Sequence, residues 1–135
     1  MARVRETNAM ISGMKPALQP GVWHFCTCAP DQAVDLVPHA LATMHEAEGL
    51  SLILPEDQAA TAGLISDMAM SMITLQVHSA LDGVGLTAAV AQVLTLAGIA
   101  CNVVAANHHD HVFVPVKDAD TAVDVLRALA MRGSA

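Results

Sequence analysis

The chain has 135 residues, of which 54% are apolar, and it carries a formal net charge of −7. This length is enough for one globular unit or for two very small fused ones. Six basic residues, spread from Arg3 to Arg132, form no phosphate-binding surface, so nucleic acid is not expected as a partner.

The three cysteines are an odd number and no signal-length apolar run precedes them, which predicts reduced thiols and a cytoplasmic protein. The uncharged stretch 83–106 is long enough to cross a bilayer. However, Gln92, Gly98 and Asn102 interrupt this stretch. It also lacks the flanking cluster of basic residues that marks the cytoplasmic end of a membrane-spanning helix. A helix that ends at Gly98 and a following strand explain the same stretch as protein core, so no membrane partner is expected.

In chain order, the first half predicts a short helix or loose arm (3–14), a strand (22–28), at most a short helix (32–37), a hairpin (41–45 with 50–54) and a helix (56–65). The second half predicts a strand (72–77), a helix (86–97), a strand (99–105), a polar turn (106–110), a strand (111–115) and a helix (118–131). The evidence is alternating apolar residues in the strands and apolar residues at helical spacing in the helices.

The two halves have the pattern of a repeat. Leu52-Ile53-Leu54-Pro55 aligns with Val112-Phe113-Val114-Pro115 at an offset of 60 residues, and the first strands align at an offset of 50. Each half is therefore predicted to be β-α-β-β-α, with a shortened first helix in the first copy. The predicted divisions are an arm at 1–15, a first half at 16–67 and a second half at 68–135. Neither half shows a final strand of its own.

A β-α-β-β-α unit carries its helices on one face of an antiparallel sheet. Strand alternation places one set of side chains toward the helices: Trp23, Phe25, Ile73, Leu75 and Val77. The opposite set is predicted on an open face, which a second subunit or the other half would cover: His24, Cys26, Cys28, Thr74, Gln76 and His78.

One segment resembles the signature of the ACT-domain family. It consists of Asp82-Gly83-Val84-Gly85-Leu86, a helix of about three turns, then Ala97-Gly98-Ile99 and Asn102. Over residues 14–129 the chain is also similar to small bacterial tandem ACT-like proteins of unassigned function. The resemblance implies an α+β fold of two ferredoxin-like halves that form a homodimer.

The resemblance also implies a binding site for a small polar metabolite such as an amino acid, at the turn after the first strand of the second half. Carried over by position, the implied ligand-binding residues are Ser79, Asp82, Val84, Gly85, Leu86 and Asn102. Amides at the helix N-terminus would hold a carboxylate, and Asp82 would receive an ammonium group. A turn or capping role for Asp82 stays open. The first half lacks this turn, and Asn107-His108 stands where aromatic residues are expected.

Two further clusters have competing interpretations. His108-His109-Asp110-His111 has metal-ligand chemistry, but alternation along a strand favours a hydrogen-bonded hairpin tip. His24, Cys26, Cys28 and His78 favour a subunit interface over a reactive thiol site.

No phosphate loop, no Ser-His-Asp order and no spaced carboxylate pair is present, so the sequence predicts neither an enzyme nor a cofactor. The resemblance implies instead a regulatory binding module. The alternatives are a ligand-free dimeric module that docks on a partner protein, and a metal-dependent function at the histidine-rich turn.

Overall fold

The computed structural model describes residues 6–77 and 80–133. The first helix, α1 (Thr7–Gly13), begins where the Glu6 carboxylate accepts hydrogen bonds from the amides of Asn8 and Ala9, at 3.0 and 2.7 Å. A side chain that caps the first turn satisfies amides that have no partner within the helix. The segment predicted as a helix or a loose arm is therefore a capped helix.

Seven strands and four further α-helices follow α1 in the described residues. In order they are β1 (Pro16–Leu18), β2 (Trp23–Cys28), α2 (Pro30–Leu36), β3 (Ala42–Glu46), β4 (Gly49–Pro55), α3 (Glu56–Ala62), β5 (Met70–Leu75), α4 (Leu86–Leu96), β6 (Asn102–Ala105), β7 (Asp110–Pro115) and α5 (Ala119–Gly133). Every element predicted from residue 22 onward is present, with ends that differ by at most three residues. No helix in residues 6–77 and 80–133 is both long and apolar enough to cross a membrane.

Contacts group the chain into two units. One unit is Gly21–Met70, and the other joins the described residues before Gly21 to those from Ser71 onward. The first unit is therefore an insertion in the sequence of the second, called here the inserted unit, and the second is called the outer unit.

The sheet of the outer unit has the order β1-β5-β7-β6. Strand β1 is antiparallel to β5, with Leu18 opposite Ile73 and Pro16 opposite Leu75, and β6 is antiparallel to β7. The N-terminal strand of the chain thus supplies the final strand that the second half lacks.

The core of the outer unit lies between this sheet and helices α1, α4 and α5. Its fully or nearly fully buried members include Met10, Met14, Ile73, Leu75, Val90, Leu94, Val112, Val114 and Leu126. The predicted inward positions of Ile73, Leu75 and Val77 are confirmed. Val123, Leu126 and Leu129 of α5 are buried in the same core. Met10 and Met14 make α1 part of this core.

The inserted unit has the order β3-β4-β2, with both strand pairs antiparallel. Its core contains Cys28, Leu36, Leu52, Leu54 and Ala59. The prediction that Trp23 and Phe25 face the helices is wrong: Phe25 is 40% exposed, whereas His24 is 1% exposed. The face of β2 that packs on the helices is the face that carries Cys28.

Both halves therefore have β-α-β-β-α order, antiparallel strand pairs and helices on one face. This confirms the predicted fold class, α+β with two ferredoxin-like halves.

Candidate ligand-binding site

Two backbone features define the described part of the turn between β5 and α4: one hydrogen bond and one left-handed glycine. The Gly83 amide donates to the Ala80 carbonyl at 3.0 Å. Gly85 then adopts a left-handed conformation (φ 107°) and begins α4 without any side-chain cap. A residue with a Cβ is strained at such a φ, so glycine is the residue that fits here.

The structure distributes the predicted ligand-binding residues unevenly. Asp82 and Val84 are exposed on the turn, Val84 at 77%. The Leu86 side chain belongs to the core, so only its backbone is available to a ligand. Asn102 is exposed at the first residue of β6, opposite Phe113. Ser79 lies outside the described residues.

Helix α1 packs directly against this turn. The Thr7 hydroxyl donates to the Val84 carbonyl. A Cβ placed on Gly85 would lie 2.8 Å from Thr7 Cγ2, and one placed on Gly83 would lie 2.9 Å from Met10 Sδ. Both glycines are therefore needed for the close approach of α1, whether or not a ligand binds.

Sequence reasoning missed this contact. The spacing of Met10, Ile11 and Met14 indicates that one face of this segment is buried, but it does not identify the turn as its partner.

The histidine-rich turn is held by hydrogen bonds within the protein. His111 Nδ1 lies 2.9 Å from Thr74 Oγ1, and His109 Nδ1 lies 3.4 Å from the Val77 carbonyl oxygen. Burial lowers the pKa of His111, and His109 lowers it further. Burial also raises the pKa of Asp110, against the opposing effect of the two histidines. In the described ranges, no three or more His, Cys, Asp or Glu side chains form a group able to hold a metal ion.

His24 is the centre of a buried polar cluster in the inserted unit. The Ser66 amide donates to His24 Nδ1 at 3.2 Å, so the second ring nitrogen, Nε2, carries the proton and donates to Glu56 Oε1 at 3.1 Å. The Ser66 hydroxyl also lies 2.9 Å from Nδ1 and donates to the Met68 carbonyl at 3.0 Å. The cluster therefore ties α3 and the following loop to β2.

The neighbouring Cys26 thiol also forms a hydrogen bond within the inserted unit and is not in a reactive state. Cys26 Sγ donates to the Leu64 carbonyl at 3.1 Å. Burial raises the pKa of Cys26, and the nearby Cys28 raises it further, which disfavours the reactive thiolate. The prediction that His24, Cys26 and Cys28 lie on an open face is wrong, because this face of β2 packs on helices. His78, the fourth predicted member, is outside the described residues.

The fold and the turn before α4 define a tandem ACT-type module. Two family models of the ACT domain match the chain in succession, over residues 4–71 and 69–128. The chain belongs to the ACT-domain family, and this makes it a regulatory ligand-binding module. None of the curated proteins compared with the chain matches it.

Solved structures agree with this assignment. A Vibrio cholerae protein of unknown function, described as a possible transport protein, is 41% identical over 91% of this chain and 94% of its own, with a TM-score of 0.79. An Agrobacterium tumefaciens protein is 19% identical over 85% of this chain and 87% of its own, with a TM-score of 0.65.

The ligand-free regulatory subunit of aspartate kinase from Thermus thermophilus is 14% identical, over 84% of this chain and 95% of its own, with a TM-score of 0.57. At these identities, the last two comparisons show a shared fold.

Proposed function

We propose that this protein is a non-catalytic sensor that binds a small polar metabolite, an amino acid, at the turn before α4. It acts as a homodimer and passes the signal to a separate protein. The regulatory subunit of aspartate kinase, which shares the fold, is a precedent for an ACT module on a chain of its own.

The observation that carries the proposal is the pairing of Asp82 with the uncapped start of α4. The first amides of a helix have no partner within the helix, and they attract a carboxylate. The capping residue Gly85 offers these amides no side-chain cap, and exposed Asp82 lies three residues before the capping position. An amino acid offers a carboxylate to the amides and an ammonium group to Asp82.

The surface around Asp82 supports a second copy of the chain as the partner that closes the site. Leu81 is 70% exposed and Val84 is 77% exposed, on either side of the aspartate. Exposed aliphatic side chains next to a polar site are typical of a surface that another protein covers.

The test is thermal unfolding in the presence of each of the twenty amino acids at millimolar concentration. A ligand at a hundred times its Kd stabilises by about 2.7 kcal/mol, which is on the order of several degrees. We expect a selective shift that Asp82→Asn abolishes and that Asp124→Asn, an equal charge change on the exposed side of α5, leaves intact. A flat panel, or equal loss in both variants, would reject the proposal.

One observation favours a second candidate, a ligand-free interaction module. The turn already has a partner within the chain, because Thr7 bonds to Val84 and packs on Gly85. In that case no amino acid shifts unfolding, and the exposed Val84 serves dimerisation alone. Sedimentation velocity of Val84→Asp would then show a monomer, while Asp82→Asn would remain a dimer.

A further inference from the structure

A groove in the outer unit is lined by none of the residues 80–86 of the proposed ligand turn. Its volume is about 440 Å³, within the range of small-molecule sites. Lys15 and Arg127 line it together with the polar residues Ser12 and Gln76. The rest of its lining is apolar: Pro16, Ala130 and Met131.

The charge of this groove is opposite to that of the whole chain. Two of only six basic residues line it, in a protein with a net charge of −7, and none of the described residues that line it is acidic. Neither Lys15 nor Arg127 has a carboxylate of another described residue within ion-pair distance. The carboxyl end of α1 contributes at most about half a negative charge, which two full positive charges outweigh.

The backbone holds Lys15 at the groove in a conformation that few lysines adopt. Its φ is 39°, the only positive φ of a non-glycine residue in the described ranges. The chain is fixed on both sides, since Met14 is fully buried and Pro16 pairs with Leu75 in the sheet. The Lys15 carbonyl also accepts from the Gln76 amide at 3.4 Å. Strain of this kind persists only where the surrounding structure imposes it.

From these features we infer a second binding site, for a small organic acid that has an apolar side chain and no ammonium group. A guanidinium binds a carboxylate with two parallel hydrogen bonds, and an ammonium adds a point charge. The ammonium of an amino acid would face two cations without a carboxylate to receive it. The groove therefore favours a 2-oxo acid over the amino acid of the same carbon skeleton.

A matched pair of probes tests this inference: 2-oxoisovalerate and valine, which differ only in a keto or an ammonium group. Amide and arginine side-chain resonances of the full-length protein are followed by NMR at constant ionic strength. We expect saturable shifts at Gln76 and at Arg127 Nε with 2-oxoisovalerate, with a Kd on the order of millimolar. Equal binding of valine at these resonances would overturn the inference, as would the absence of a saturable shift.

Variants separate the groove from general charge effects. Lys15→Gln and Arg127→Gln should each weaken binding by about twofold to fivefold, as expected for the loss of one exposed charge pair. Lys117→Gln removes an equal charge from an exposed site outside the groove and should change nothing. Equal weakening in all three variants would show non-specific attraction and reject the site.

Lys15→Gly covers the case in which Lys15→Gln fails to fold. Glycine relieves the positive φ, so this variant should keep its fold and weaken binding to the same extent as Lys15→Gln. The Asp82→Asn variant should bind 2-oxoisovalerate normally. Failure of the groove and failure of the amino acid site therefore give different results.

Discussion

Helix α1 is an integral part of the outer unit, and Met14→Ala tests this directly. Met14 is fully buried in the core. Truncation of a buried methionine to alanine costs about 2–5 kcal/mol, from the lost transfer free energy and the cavity left behind. With a urea slope of about 2 kcal/mol per molar, a loss of 3 kcal/mol lowers the unfolding midpoint by about 1.5 M.

Far-UV circular dichroism is the suitable readout, because the single tryptophan, Trp23, belongs to the inserted unit. Met131→Ala is the matched control on the same unit, since Met131 is 75% exposed, and it should lie within about 0.5 kcal/mol of wild type. A loose N-terminal arm would make Met14→Ala equally silent, and that result would refute the role assigned to α1.

Three further predictions concern the rest of the molecule. Because burial lowers the pKa of His111, the folded state favours its neutral form. This stabilisation is present above the unfolded pKa of about 6.5 and is lost as the pH falls through the folded pKa. His111→Gln should therefore reduce the drop in the free energy of unfolding between about pH 7 and pH 5, measured by urea titration. Gly85→Ala should cost more than about 1 kcal/mol by thermal unfolding, because of its positive φ and the Thr7 contact. Adding Thr7→Ser to Gly85→Ala should recover part of that loss. Gly98→Ala should lose stability only through its positive φ, because the space around Gly98 is open. His24→Ala should destabilise the inserted unit by about 2–4 kcal/mol, because it removes a buried ring and leaves the groups that donate hydrogen bonds to that ring without an acceptor. Fluorescence of the adjacent tryptophan would report this loss, and an unchanged midpoint would contradict a buried structural role.

Local sequence signals were sufficient for most elements. The hairpin of β3 and β4 and the helix α4 are marked by turn residues and by glycines at their ends. Gly98, for example, has the left-handed φ of 74° that ends a helix. These signals depend only on neighbouring residues, so one sequence contains them.

The final strand of the outer sheet could not be predicted, because nothing local marks it. β1 is three residues long, too short for a visible alternation, and its partner β5 is far away in sequence. Alternation along β2 was correctly recognised, but alternation does not say which face is buried. The bulk of Trp23 and Phe25 favoured one face, and the hydrogen bonds of His24 stabilise the opposite one.

The candidate ligand turn was found from a family signature, and its surroundings were not. Asp82 and Gly85 were named from their positions in that signature. The contact of Thr7 with that turn links residues 77 positions apart, and a single sequence carries no information on such a pair. The groove at Lys15 and Arg127 was missed for the same reason, since its two cations come from opposite ends of the chain.

The insertion of one unit into the other has a consequence for the order of folding. Pairing of β1 with β5 places Leu18 opposite Ile73, about 55 residues later in the sequence. Closing so long a loop slows folding, because the chain loses conformational entropy before it gains contacts. Within the inserted unit, however, Trp23 pairs with Met70, so folding of that unit brings its own two ends together. During synthesis the inserted unit can fold first. The loop that must close before β1 pairs with β5 is then effectively shorter. A mutation that weakens β2 would then delay the maturation of a core to which it contributes no side chain.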